Sequence, residues 1–366
     1  MKILQISPYI DPRLGGQEKH VLALSQMLSS AGHEVTIITS KYDPNTVPKK
    51  VRVVLLPAVS FFGVQIIYPF SLISFLLKNR FDVCHIHYQT LFGETVLLIT
   101  KVCKLPAVTT LHSEMIRSKY IKVLYDRITL ILTSSLSCKV LCLSPQIMKV
   151  LIQRGAKSSK CVVIPNAVNV TTLKNYFQKV KKQTSLPEFD LLFVGRLEKR
   201  KGILCLLDSL IILRDQGCDV TLKIVGQGEL ANQINDVLQS TGLNKNVELK
   251  GYLSEENLAE LFLSTKCVVI PSFYEGVPTI ALEAMVAEKP LIVSNIPGLG
   301  ELVKDGLNGV VVRPMDALDL SLGIKKILTM PKESSLIQFN SSLLSTYDWN
   351  TVVKQISALY KQCIDK

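Results

Sequence analysis

Apolar runs of four to seven residues alternate along this chain with longer stretches in which apolar positions recur every three or four residues. Short runs rich in Val, Ile and Leu read as buried strands, and the longer periodic stretches read as helices. In the first half this predicts strands over Lys2–Ser7, Val35–Thr39, Val51–Leu56, Val83–Ile86, Ala107–Leu111, Val140–Leu143 and Val162–Ile164. The clearest helix lies between the first two, from Glu18 to Ala31, with Gly32 placed to cap it. After a basic, polar stretch from Thr171 to Pro187 the alternation restarts. Strands are predicted there over Leu191–Val194, Thr221–Val225, Val247–Leu249, Val268–Ile270, Leu291–Val293 and Val310–Val312, and a last helix over Asp348–Cys363. Such alternation predicts an α/β protein of two mostly parallel, doubly wound sheets. The expected division is residues 1–170, a linker over 171–187, a second domain over 188–345, and a closing helix over 346–366. A cleft where strand carboxyl ends converge is the expected ligand site.

Length and composition agree with two cores: 366 residues, 48% of them apolar, with a mean hydropathy of +0.29. The chain starts directly in a strand-like run, so no signal peptide is expected. Nine cysteines lie scattered without CxxC pairs or His/Cys clusters, which suits a reducing cytosol and argues against a metal site or a disulfide framework. Charge is distributed unevenly. Residues 1–166 carry 20 basic against 8 acidic side chains, so they hold the whole net charge of +12, and all five histidines lie there too. That asymmetry points to an anionic partner for the first half. Nucleic acid is disfavoured, because no basic repeats with interleaved aromatics occur. Val53–Leu77 has no charged residue over a length that could span a bilayer, but Pro57, Gly63 and Pro69 break it, so a strand, a loop and a helix from about Pro69 to Lys78 are expected instead. Met115–Leu132 sets Arg117, Lys119, Lys122 and Arg127 among Ile, Leu and Tyr; it reads equally as a solvated amphipathic helix or as a peripheral contact with anionic lipid.

Candidate chemistry gathers at predicted strand ends. Gly15-Gly16-Gln17-Glu18 follows the first strand and opens a helix, but it is not a dinucleotide fingerprint and reads equally as a plain turn. Gly195-Arg196, with Lys201-Gly202 after it, offers a guanidinium fork and a point charge suited to a diphosphate; Lys199 and Arg200 read as solvated. Gly226 and Gly251-Tyr252-Leu253 are turn signals at two further strand ends. His112 ends the Ala107–Leu111 strand, and His85 and His87 end another; the last two read as local hydrogen-bond formers. A metal site is not expected from these histidines, for want of Asp or Glu at ligand spacing. In Pro271–Pro290, Glu275 precedes a helix with Pro278 in its first turn, and Glu283 lies about two turns in, among Leu282, Ala284 and Met285. A carboxylate in such company normally has an assigned partner.

Tyr274-Glu275-Gly276, with Glu283-Ala284-Met285 eight positions on, resembles the paired-glutamate signature of the family 4 glycosyltransferases of the GT-B fold, and the other pieces line up in order over roughly Met1–Arg313. The resemblance implies a retaining transferase. It would move a sugar from a nucleotide-sugar, expected to be a UDP-sugar, to a glycan or lipid-linked acceptor in cell-surface polysaccharide or glycolipid synthesis. It also implies residue roles. Arg196 and Lys201 would bind the donor diphosphate and steady the leaving group, and His112 would lie near the donor sugar. Glu275 would hold sugar hydroxyls and Glu283 the ribose, with Gly276 and Val277 in the same donor loop. Gly15 and Gly16 would face donor phosphate and acceptor, while Gly226, Gly251, Tyr252 and Leu253 would frame the base. No metal or other cofactor is expected, and the absence of any Asp-x-Asp agrees. The expected location is the cytoplasm, with a peripheral contact at the inner membrane face left open. Ala167, Asn169 and Glu288 depart from the family's usual Gly, Asp and Gly. The alternatives are a non-catalytic membrane-associated subunit, which would bind no nucleotide-sugar, and a glycosidase, in which Arg196 and Lys201 would have no role.

Overall fold

The structure is a computed structural model, and it describes residues 1–10, 16–61, 64–87, 91–112, 120–183, 188–329 and 334–365. The chain divides into two compact units, one of Met1–Ala167 with Trp349–Lys366, the other of Val168–Asp348. The architecture is α/β, as the alternation predicts.

In chain order the strands of the first unit are β1 (Lys2–Ile6), β2 (Tyr9–Ile10), β3 (Glu34–Thr39), β4 (Lys41–Tyr42), β5 (Arg52–Leu55), β6 (Ala58–Phe61), β7 (Val64–Ile67), β8 (Val83–Ile86), β9 (Ala107–Leu111), β10 (Lys139–Cys142) and β11 (Cys161–Val163). Seven of them form one parallel sheet in the order β11-β10-β9-β8-β1-β3-β5. Helices α1 (Gly16–Ser30), α2 (Pro69–Lys78), α3 (Leu91–Val102), α4 (Tyr120–Leu136) and α5 (Pro145–Gln153) supply its crossovers. Side chains alternate across the sheet. Ile3, Val35 and Ile37 pack with Leu24 and Leu28 of α1 on one face, while Leu4, Ile6 and Ile38 pack with Leu72, Leu76 and Val96 of α2 and α3 on the other.

The charge-free run differs from expectation in its middle. β5 is a half-buried edge strand, and the segment read as a loop folds back as an antiparallel hairpin of β6 on β7 before α2. Among the described residues no helix is long and apolar enough to cross a membrane.

The stretch expected to be a linker also differs. From Val170 to Gln183 it is helix α6, and its Phe177 is buried against Phe262 of the second unit. A basic outer face disguised an apolar inner one (Leu173, Phe177, Val180). Residues 184–187 of that stretch lie outside the described residues.

The second unit repeats the plan. Its strands are β12 (Phe189–Val194), β13 (Leu222–Val225), β14 (Val247–Gly251), β15 (Thr265–Ile270), β16 (Leu291–Ser294) and β17 (Gly309–Val312), all parallel, in the order β14-β13-β12-β15-β16-β17. Its further helices are α7 (Ile203–Asp215), α8 (Ala231–Thr241), α9 (Glu255–Ser264), α10 (Thr279–Val286), α11 (Ala317–Thr329) and α12 (Ser334–Leu344). Leu191 and Phe193 of β12 pack with Leu206 and Leu210 of α7, Ile234 of α8 and Ile324 of α11. The last helix, α13 (Trp349–Ile364), belongs to the first unit, where Val352, Ile356 and Leu359 complete the core beside α1.

Candidate active site

In the second unit the carboxyl ends of β13, β12 and β15 are neighbours, and the loops leaving them are laced together. The Gly195 amide donates to the Val225 carbonyl at 3.0 Å, the Leu197 amide to Gln227 at 2.9 Å, and the Gly226 amide to Gly251 at 2.8 Å. Gly226 has φ +147°, and a Cβ there would run into the Gly195 carbonyl oxygen, so only glycine lets these loops approach so closely. Beyond Gly251, Tyr252 is exposed and Leu253 half-buried, just ahead of α9, whose first turn is capped by Ser254.

Arg196 follows Gly195, and Lys199–Lys201 make one 3₁₀ turn ended by Gly202 (φ +70°), whose position against the Pro271 carbonyl leaves no room for a side chain. The Phe273 amide donates to the Arg200 carbonyl at 2.8 Å, which ties the β12 loop to the β15 loop. As a result two residues 74 positions apart meet: the Lys201 ammonium pairs with the Glu275 carboxylate. The Ser272 hydroxyl donates to the same carboxylate oxygen at 2.8 Å. Glu275 is 8% exposed and Lys201 17%, so the pair is largely withdrawn from water. Arg196 is half-exposed and lies 3.3 Å from Glu198. Arg200, expected to be solvated, instead pairs with Glu198 at 2.7 Å, whereas Lys199 is exposed as expected.

After Glu275 the chain passes Gly276 and the buried Val277 to Pro278, which stands at the N-cap of α10 rather than within its first turn. Glu283 therefore lies little more than one turn in, not two. It is half-buried, while Ala281, Leu282, Ala284, Met285 and Val286 are buried. α10 begins where the loop that holds Glu275 ends, so two carboxylates, an ammonium and a helix N-terminus lie on one loop-helix junction.

His112 belongs to the first unit. It follows β9, half-buried, and Nε2 lies 3.3 Å from His87 Nδ1. The other ring nitrogen of His87 is 3.0 Å from Gln5 Oε1. His85, stacked on His87 with ring centroids 4.0 Å apart, spends both nitrogens on Tyr360 Oη (2.6 Å) and Thr110 Oγ1 (2.7 Å). His20, reached from α1, lies with its ring centroid 5.0 Å from that of His112 and 5.7 Å from that of His87. Burial, and after it the neighbouring imidazoles, holds His87 and His112 well below the ordinary histidine range; burial lowers His20 to about 4, a fall that nearby Asn166 only partly opposes, and His85 to about 3. The rings are therefore neutral at pH 7. Gly16 opens α1 in open space, and Gly15 lies outside the described residues.

The structure thus brings Arg196, Lys201, Gly226, Gly251, Tyr252, Leu253, Glu275, Gly276, Val277 and Glu283 to adjoining loops and helix tips of the second unit, and places Gly16 and His112 in the first. From the sequence, Pro271-Ser272 counts as part of the family signature but Ser272 has no role of its own, and Glu198, Gln5 and His20 are passed over. A signal existed for Gln5, a polar residue inside an apolar strand, and for His20 on the inward face of α1.

Residues 14–172 match the family described as Glycosyltransferase Family 4, and residues 175–340 match Glycosyl transferases group 1. The chain belongs to the family 4 glycosyltransferases. An uncharacterized glycosyltransferase of Methanocaldococcus jannaschii is 27% identical over 99% of this chain and 98% of its own length. The glycogen synthase of Mycobacterium tuberculosis is also 27% identical, over 98% of this chain and 94% of its own. Among solved structures, Anabaena HepE in complex with UDP-glucose superposes with a TM-score of 0.81 over 99% of this chain and 100% of that one at 18% identity, which shows the GT-B fold. This glycosyltransferase is accordingly a transferase enzyme of two Rossmann-like domains.

Proposed function

We propose that this glycosyltransferase moves a sugar from a UDP-sugar to a glycan or lipid-linked acceptor with retention of anomeric configuration, in cell-surface polysaccharide or glycolipid synthesis. The observation that carries the reading is the Lys201–Glu275 pair at the ends of β12 and β15, held by Ser272 and set against the tip of α10. A nucleotide-sugar loses its diphosphate as positive charge develops at the anomeric carbon, so the protein's task is to stabilise negative charge on the departing phosphates. Lys201 supplies a desolvated ammonium, Arg196 a half-exposed guanidinium, and α10 a set of oriented amides. Glu275, fixed by Lys201 and Ser272, accepts hydrogen bonds from donor-sugar hydroxyls, and Glu283 accepts from the ribose. His112, to which this reading assigns a place near the donor sugar, is a neutral imidazole. Transfer in this reading needs no metal. The bound UDP and UDP-glucose of HepE support the choice of nucleotide.

The acceptor side of the reading rests on the first unit. Phe70 of α2 and Val102 of α3 are 85% and 80% exposed, and Leu77 76%; Lys78, Lys101 and Lys104, neighbours in sequence, are exposed too. On α4, Ile128, Ile131 and Leu132 are also exposed beside Arg127; Arg117 and Lys119 lie outside the described residues. Exposed apolar side chains with exposed lysines next to them in sequence complement an anionic leaflet, which supports a cytoplasmic enzyme touching the inner membrane face. Calorimetric titration with UDP-, GDP- and ADP-sugars tests the donor: UDP-sugars bind and Lys201→Ala weakens them. Absence of binding by every nucleotide-sugar overturns the reading. Flotation with anionic vesicles tests the surface, and no co-flotation overturns that part alone.

A further inference from the structure

Three of the four clustered histidines are uncommitted in a way the fourth is not. His85 has both nitrogens occupied, by Tyr360 and Thr110. His87 has one nitrogen fixed: Gln5 Oε1 only accepts, so His87 Nε2 carries the hydrogen and Nδ1 presents a lone pair. That lone pair looks at His112 Nε2, 3.3 Å away. His20 is 5% exposed, and neither of its ring nitrogens has a hydrogen bond of ordinary geometry. A single His112-to-His87 hydrogen bond would account for the short contact, but it would leave the buried His20 ring with only the nearby Asn166 side chain and no hydrogen bond of ordinary geometry, at part of the cost a buried unsatisfied polar group carries. One ligand nitrogen from each of His20, His87 and His112 lies within 4.8 Å of the others.

We propose that His20, His87 and His112 form a binding site for a divalent transition metal of the zinc class, with three neutral imidazoles as ligands and a fourth position open to water, and that metal bound there inhibits transfer by taking His112 out of the sugar site. A tetrahedral ion with metal–nitrogen bonds of about 2.0–2.1 Å sets its ligand nitrogens about 3.3 Å apart, the separation already present between His87 and His112. The third nitrogen closes by about 1.5 Å or less through side-chain rotation. Imidazole-only donors select zinc, copper, nickel and cobalt over magnesium or calcium. Gln5 is the outer-shell acceptor that orients a ligating imidazole, and His85 stacks behind His87 to fix its plane. The half-buried His112 marks the entry side. The inhibition rests on the role proposed above for His112; the binding itself does not.

The chain carries its own reporter. Its single tryptophan, Trp349, lies with its ring centroid 5.3 Å from that of His20. Full-length protein freed of metal with a chelator is titrated with Co²⁺. The expected result is quenching of Trp349 fluorescence together with a visible d–d band, both saturating at one ion per chain and both abolished by Zn²⁺. His20→Ala and His112→Ala each weaken binding at least 10-fold, while His33→Ala, a histidine near the amino terminus, changes nothing. Wild-type protein with neither quenching nor band overturns the proposal, whatever the variants do. So does equal affinity in wild type and His20→Ala, which would place the ion elsewhere. Binding of UDP in the second unit, followed by calorimetry on the same samples, reports separately on the donor reading, so failure of one leaves the other standing.

Discussion

Removing the Lys201 ammonium tests whether the Lys201–Glu275 pair is structural, functional or both. Lys201→Met leaves the Glu275 carboxylate 8% exposed with only the Ser272 hydroxyl to satisfy it. Losing one partner of a buried ion pair costs about 3–5 kcal/mol, and the remaining Ser272 bond and the partial exposure of Lys201 put this case near about 3 kcal/mol. For a unit the size of Val168–Asp348 that is a fall of roughly 6–12 °C in melting temperature. The double variant Lys201→Met/Glu275→Gln carries no buried charge and should recover to within about 1 kcal/mol of the wild type. Activity should not recover: both variants lose a charge that faces the leaving diphosphate, a drop of about 10²–10³ in kcat. Calorimetry is the assay of choice, because two units need not melt as one. Trp349 belongs to the first unit, so its fluorescence transition serves as an internal control that should stay in place. The reasoning fails if Lys201→Met melts with the wild type, if the double variant is no more stable than the single, or if the double variant regains turnover.

Three further outcomes follow from the same geometry. Glu283→Ala should weaken nucleotide binding while Glu275→Ala mainly lowers kcat; unchanged kinetics in both would remove their assignment, and urea midpoints check that each variant is folded. Glu288 ends α10 at φ +59°, in the left-handed region, where Glu288→Gly should stabilise the second unit by about 1 kcal/mol; a lower melting temperature would contradict this. His20 has a folded pKa of about 4 against 6.5 unfolded, so the unfolded chain takes up the proton first and stability is complete only above pH 6.5. Between pH 7 and pH 5 the first unit should lose about 2 kcal/mol from His20 alone, at 1.36 kcal/mol per pKa unit, with His85 adding to the loss; an unshifted urea midpoint by Trp349 fluorescence at the two pH values would refute it.

Most of the strands were legible because buried parallel strands write themselves as short β-branched runs, and the loops at their ends carry glycines where backbone meets backbone, as at Gly226 against Gly195. Elements that owe their form to tertiary contact were not. The polar residues of α6 hid Phe177, whose partner Phe262 lies 85 positions away. Pro57, Gly63 and Pro69 mark breaks in the charge-free run, but no local pattern says that the segments between them pair as β6 and β7. In the site, Lys201 and Glu275 were each legible as charged residues at strand ends, but their pairing required the β12–β15 adjacency, which no local pattern contains. The histidine cluster shows the same limit more sharply: Gln5, His20, His85, His87 and His112 come from four separate elements and loops, and only the sheet order β9-β8-β1 sets them side by side.

Tyr360 reaches His85 across 275 positions of chain, and α13 fills the groove beside α1. During synthesis, then, the amino-terminal half emerges from the ribosome long before the segment that finishes its core, and must wait, unsealed, while the whole of Val168–Asp348 is made and folds. For that interval its hydrophobic flank is exposed to chaperones and to its own neighbours, so the yield of active enzyme should depend on how quickly the final helix is delivered.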